Sequence, residues 1–280
     1  PVLILQFAQP RSRAFAMSIW GSFFGTAFAM AGLVAPALNR ALGVSAVFLG
    51  HAVFSAVLAL VLWRALPRVP GDGPQPHSRT EGFVAAHRLA YTNRRSVLPG
   101  AIFIFHTALY AVFVLYIPAF VDSSAREPLL VLMPLVSILG TLVSGLLTGR
   151  WLSPAAVLTT GFGALVVCIV AIALTAQLLA FAIVLPLLLM LCAGFIQGAA
   201  FSLIPALTSG PEHTAQANGV LMQLGNLGTL VGPPLFAFAM TLSPTAPTLP
   251  YSVAGVALCA GGAAVSVLAL RITGVRVKNA

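Results

Sequence analysis

A single histidine carries the chemistry that can be read most directly from this chain. His106 falls about eight residues into the apolar stretch 98–121, or ~12 Å along a helix rising 1.5 Å per residue, which is close to a bilayer centre if the stretch crosses a membrane. Tyr110 lies one turn on and Phe113 another, so the three share a face. An imidazole at that depth can hydrogen-bond a solute or take up a proton. The alternative is a neutral histidine tied to a neighbouring helix by one hydrogen bond, and the residues leave both open. Three amides pose the same choice: Gln197, in Gly194-Phe-Ile-Gln197-Gly198, and Gln223 with Asn226, one turn apart. An amide in hydrocarbon needs a partner, so each either contacts a solute or bonds across helices.

Other chemistries lack their residues. The sequence has no His-Glu-x-x-His, no Gly-x-x-x-x-Gly-Lys and no metal-spaced cysteine pair. Cys168, Cys192 and Cys259 each sit in an apolar run, where cysteine serves as a small hydrophobe. Gly161-Phe-Gly163 lies inside an apolar span with no acid following, and reads as helix packing. Ser137 and Ser144 have no evident base. The expectation is therefore no enzyme, no metal and no cofactor.

The elements that position these residues follow from composition. Of 280 residues 59% are hydrophobic and 7% charged, with mean hydropathy +1.02; a soluble domain is about half apolar and a quarter charged. The fold class is an all-α membrane protein, a polytopic helical bundle. Eight stretches reach the roughly 20 apolar residues that a span requires: 13–38, 45–66, 98–121, 129–149, 154–176, 179–207, 215–241 and 251–271. Short connections make sequential helices antiparallel neighbours. The one long connection, 67–97, opens with Pro70-Gly71-Asp72-Gly73-Pro74 and divides the chain into two spans before it and six after. Within it, 80–93 suits either a basic interfacial helix or a solvated linker.

Charge sets the orientation. With the start of the first span inside, Arg11, Arg13, Arg64, Arg68, Arg79, Arg88, Arg94, Arg95, Arg150, Arg271, Arg276 and Lys278 are cytoplasmic, and only Arg40 and Arg126 are outside. That bias accounts for the net charge of +9 without nucleic acid. The expected setting is a bacterial inner membrane, with the C-terminus cytoplasmic. The opening segment, residues 1–10, begins without Met and reads as the end of an apolar segment, so the chain is expected to be a fragment.

The seventh span contains Gly219-x8-Gly228-x3-Gly232-Pro233. Read as one stripe, these glycines admit a close neighbour, and the proline restricts the far end. A shift of 197 residues lays Ser22, Ala31, Ala35 and Pro36 of the first span on those four positions, as two parallel repeats would. After the fourth span comes Gly145-Leu-Leu-Thr-Gly-Arg150.

On these features the chain resembles the major facilitator superfamily. The glycine pattern is similar to that family's fifth-helix motif. The Gly145 to Arg150 segment resembles its Gly-x-Leu-x-Asp-Arg loop, with Gly149 where Asp is usual. The resemblance implies the family's fifth to twelfth helices: residues 1–66 ending an N-terminal half, 67–97 a cytoplasmic linker, and 98–280 a six-helix C-terminal half. It also implies a secondary transporter working by alternating access with proton coupling, with His106, Tyr110, Gln197, Gln223 and Asn226 facing the solute. Close glycine packing in the first and seventh spans would form the moving interface. The partners expected are a small-molecule substrate, a proton and the lipid bilayer, in a monomer. The other reading is a non-transporting platform or sensing protein built on the same bundle.

Overall fold

Glycine, proline and short polar side chains set the helix ends. The computed structural model describes residues 2–65, 83–121, 123–175 and 181–273. The Pro70 to Pro74 turn, Arg68, Arg79, Asp122, Arg276 and Lys278 lie outside the described residues. The helices are α1 (Val2–Phe7), α2 (Arg13–Gly21), α3 (Phe23–Leu42), α4 (Val44–Ala65), α5 (Phe83–Thr92), α6 (Arg94–Tyr116), α7 (Ser123–Arg150), α8 (Pro154–Thr175), α9 (Phe181–Leu207), α10 (Pro211–Thr241) and α11 (Thr248–Thr273). Among the described residues eight helical segments are long and apolar enough to cross a membrane. This is an all-α polytopic membrane bundle.

Local chemistry explains the boundaries. Gly43 and Gly210 take φ of 82° and 81° at the turns before α4 and α10, a region open to glycine and strained for other residues. Asn93 Oδ1 accepts from Arg95 N (3.0 Å) to cap α6, and Ser153 Oγ accepts from Ala156 N (3.1 Å) beside Pro154 at the first position of α8. Of the stretch 80–93, Phe83–Thr92 forms a helix, α5. The first span is not one helix: it breaks at Gly21-Ser22, a residue pair that supports sharp bends.

Helix directions follow from which residues meet. α10 runs parallel to α6, with Gly100 against Val220 and Leu221 at one end and Gly232 against Ala108 further along. α7 and α9 are parallel, and α2 with α3 lies antiparallel to α7, Gly145 meeting Ser18 and Gly32 meeting Leu130. This alternation gathers Arg13, Arg94, Arg95, Arg150 and Arg271 at one end and leaves Arg40 and Arg126 at the other.

α6 is buried over most of its length, among α9, α10, α11 and α7. α4 has no buried residue and exposes Phe48, Phe54 and Trp63. α2 and α3 lie between these extremes, α2 packed on α7 and α9 and α3 on α7 and α4.

Candidate functional site

α6 is where polar chemistry meets the centre of the bundle. Its axis is 23 residues long and His106 is twelve residues beyond Arg94, ~18 Å along it. Both imidazole nitrogens are buried and have no hydrogen-bond partner. The ring stacks on Phe103, centroids 5.2 Å apart and planes 25° apart, and lies 5.7 Å from the Tyr110 ring. Gln197 of the neighbouring α9 is the side chain that acts on the ring, without meeting either nitrogen at hydrogen-bond geometry. Phe113 is also fully buried.

Gln197 is the polar neighbour of His106. It has no exposed surface, and its amide faces two ways. Nε2 donates to Gly21 O at 2.5 Å, capping the carbonyl at the α2–α3 break, while Oε1 is buried without a partner. Tyr110 Oη shares a hydrogen bond with Ser137 Oγ of α7 (2.9 Å), and Ser137 Oγ in turn donates to Pro134 O (2.7 Å). The Tyr110 ring packs against Phe24 and Phe28 of α3, at 5.0 and 5.4 Å. Four helical segments thus converge on one polar cluster: α6, α7 and α9, with the first span closing it.

Small residues make that convergence possible. Gly25 faces Ser137 and Ile138, Gly32 faces the Leu130 backbone, and Gly21 faces the Phe201 ring. Gly194 and Gly198 admit α7 at Ser137, Thr141 and Ser144. A side chain at any of these would push a backbone or ring aside. Ser144 Oγ donates to Phe195 O (2.8 Å) and Thr148 Oγ1 to Ser202 Oγ (3.0 Å), continuing a hydroxyl seam down α7 and α9.

Two amides expected at the site stand apart. Gln223 and Asn226 are exposed, and Gln223 serves α5: its Oε1 accepts from Tyr91 Oη (2.7 Å) and its Nε2 donates to His87 Nε2 (3.3 Å). The reason is helical rotation. Gly225, Gly228 and Gly232 turn toward α6, and at about 100° per residue Gln223 points away from Gly225.

The same arithmetic corrects the glycine stripe. Gly228 meets the Ile104 carbonyl and Thr107, and Gly232 meets the Ala108 backbone, whereas Gly219 has nothing within 4 Å. Nine residues carry Gly219 about half a turn round the helix from Gly228. Gly225, under the Phe103 ring, occupies the place assigned to it. Pro233 offers its carbonyl to Tyr116 Oη (3.1 Å). The stripe in α10 packs on α6 and not on the first span. In the first span the contact residues are Gly21, Gly25, Ala29 and Gly32, while the repeat-matched Ala31 is exposed.

At the arginine-rich end Gly145 packs on Ser18 and Phe15, and the exposed Arg150 guanidinium stands 6.0 Å from the Trp151 ring centroid. A cleft of about 270 Å³ opens at this end between Arg13 and the α9–α10 turn, lined also by Leu5, Thr208 and Thr214. It is separated from His106 by the length of half a span. Ser137, Phe24, Phe28 and Gly21 were not anticipated as site residues. Their signal was present as spacing: Gly21, Gly25 and Gly32 recur at four- and seven-residue intervals, one helical face.

The family model of the Major Facilitator Superfamily matches residues 1–233. The chain belongs to the major facilitator superfamily. A comparison with curated protein sequences finds no match. As a major facilitator protein it is a multi-pass membrane transporter, and the matched residues contain all members of the His106 cluster. Among the described residues no group of three or more metal-ligating side chains converges.

Proposed function

We propose that this transporter moves a small solute through a midplane site formed by His106, Tyr110 and Gln197, by alternating access coupled to protons. In this reading residues 1–66 end one half, 67–97 form a cytoplasmic linker, and 98–280 form the other half. The observation that carries it is the set of buried, unpartnered polar atoms, His106 Nδ1 and Nε2 with Gln197 Oε1, where the first span meets α6, α7 and α9. Polar atoms sealed in hydrocarbon without partners are unfavourable unless something completes them in another state. A solute or water arriving when the halves separate does so, and a wetted His106 takes up and releases a proton.

The orientation proposed is a bacterial inner membrane with the C-terminus cytoplasmic, because the arginine-rich end carries Arg13, Arg94, Arg95, Arg150 and Arg271. The residues of the cluster all belong to one chain, and the unit proposed is a monomer.

Thiol labelling tests the reading. In a protein whose Cys168, Cys192 and Cys259 are replaced by Ala, the variants His106→Cys, Tyr110→Cys and Gln197→Cys are treated with a charged methanethiosulfonate in right-side-out and inverted vesicles. Labelling of all three is expected, because each lines a cavity that water reaches in one state. Protection of all three in both orientations would overturn the proposal and favour a packed, non-transporting platform.

A further inference from the structure

The rings around His106 say more about the solute than its polar atoms do. Phe24 and Phe28 of α3 flank Tyr110, Tyr110 leans on His106, His106 stacks on Phe103, and Phe103 meets Phe201 edge-on at 5.4 Å with planes 75° apart. Six rings run in unbroken contact from the first span to α9. Rings meet elsewhere too, Phe105 and Phe162 on α11 glycines and Tyr116, Phe120 and Phe236 around Tyr251, but among the described residues this row alone holds a buried imidazole without a hydrogen-bond partner. Aromatic faces do favour other planar π-systems, offset or edge-on.

Charge narrows the class further. In the sequence none of the five acids falls deep in an apolar stretch, and of those described Glu127 and Glu212 stand in the first turns of α7 and α10. Among the described residues no charged side chain stands in the His106 cluster, so a permanently charged solute there would meet a low dielectric without a counter-charge from them, which is strongly unfavourable. The unmet hydrogen-bonding capacity is that of a neutral imidazole, one donor and one acceptor, together with the acceptor Gln197 Oε1. A flat solute with a single hydroxyl meets two of these three, donating to one acceptor and accepting from the imidazole N–H.

Resting on the reading of this cluster as the transport site, we infer that the solute class is an uncharged aromatic bearing one hydrogen-bonding group, held between Phe24 and Phe28 on one side and Phe103 on the other. The rings of the first span then form one wall and those of α6 and α9 the other. Separation of the walls opens a slot already lined with π-faces, and a planar guest replaces ring-to-ring contacts with ring-to-guest contacts.

Three probes of one size test this on the full chain in nanodiscs, with protein-free nanodiscs subtracted. They are 2-naphthol, followed by its fluorescence, its saturated analogue decahydro-2-naphthol, and N-methylquinolinium as a permanent cation. Saturable 2-naphthol binding is expected, with the saturated alcohol competing at least about tenfold less well and the cation not competing. Phe24→Leu and Phe103→Leu should each weaken 2-naphthol by roughly three- to tenfold, the range of one aromatic pair. Phe28→Leu replaces Phe24→Leu if that variant does not fold.

Equal competition by decahydro-2-naphthol, stronger competition by the cation, unchanged binding in the leucine variants, or no protein-dependent binding would each overturn the inference. Thiol labelling at residues 106 and 197 without 2-naphthol binding removes the aromatic class and leaves the transport site standing. Protection from labelling removes the transport site itself.

Discussion

Two helix contacts in this transporter use glycine to bring backbones together, and they differ in what surrounds the glycine. Between α6 and α10, Gly228 and Gly232 press on the Ile104 and Ala108 backbones and Gly225 on the Phe103 ring. Among the described residues the one side-chain hydrogen bond across that contact is Tyr116 Oη to Pro233 O. Between the first span and its neighbours, Gly25 and Gly32 approach α7 just as closely. There, however, Gln197 Nε2 bonds Gly21 O, Ser18 Oγ reaches Gly198 O at 3.5 Å, and Arg40 pairs with Glu127 at the far end. A contact of carbon on carbonyl has one good arrangement, fixed by shape. A contact held by exchangeable hydrogen bonds can part, since water or solute can take over each bond. The first kind suits the inside of a rigid unit, the second a boundary that opens.

The largest effect should come from breaking the shape-fitted contact. Gly228→Ala places a methyl against the Ile104 carbonyl and Thr107, and overpacking of this kind costs about 1–3 kcal/mol. Gly219→Ala meets open space and gains helix propensity of up to ~1 kcal/mol. Thermal unfolding of the two variants in detergent should move in opposite directions. A shift of the same sign in both would mean that the α6–α10 contact is not limited by backbone approach.

Next in size is Gln197→Leu. It removes the donor to Gly21 O at the α2–α3 break, and a buried hydrogen bond lost from one side costs ~1–2 kcal/mol. Ser18→Ala should change little by comparison, because its hydroxyl also bonds Ala14 O within its own helix (3.1 Å) and its reach to α9 is long. Chemical denaturation of both variants checks the order. If Ser18→Ala proves as damaging as Gln197→Leu, the boundary does not depend on the amide.

Much of this architecture could be read without coordinates. The bilayer demands about 20 apolar residues per crossing, and every expected span agrees with a helical segment to within a few residues, the first as the pair α2 and α3. His106 stood out as a histidine well inside an apolar stretch; His51 sits at a comparable depth in α4, a helix with no buried residue. What could not be read was which face of each helix meets protein. In α3 or α6 apolar residues surround the whole axis, so no polar face marks the lipid side, and Phe24 looks like any other phenylalanine. Gln223 and Asn226 were misplaced for the same reason, their depth being legible and their azimuth not. Gly219 was different: its nine-residue distance from Gly228 already put it on the wrong side of the helix. The break at Gly21-Ser22 was hidden because hydropathy runs straight through it.

The smallest effect expected lies at the end of the boundary opposite the arginine cluster. Arg40 closes α3 and Glu127 lies in the first turns of α7, so their ion pair joins the first span to the later helices. Both side chains are 61% exposed, and a pair so wet contributes roughly 0.2–1 kcal/mol, less in salt. Stability alone would barely register its loss. Its position predicts a different readout: because the pair spans a boundary proposed to open, Arg40→Ala and Glu127→Ala should each raise thiol labelling of Gln197→Cys from that side. The double variant should do no more than either single one, as a shared interaction requires. In high salt the native pair should approach the variants. Additive effects would mean that each residue acts through partners of its own, Arg40 apart from Glu127, and that the end of the boundary is held by packing at Gly32 alone.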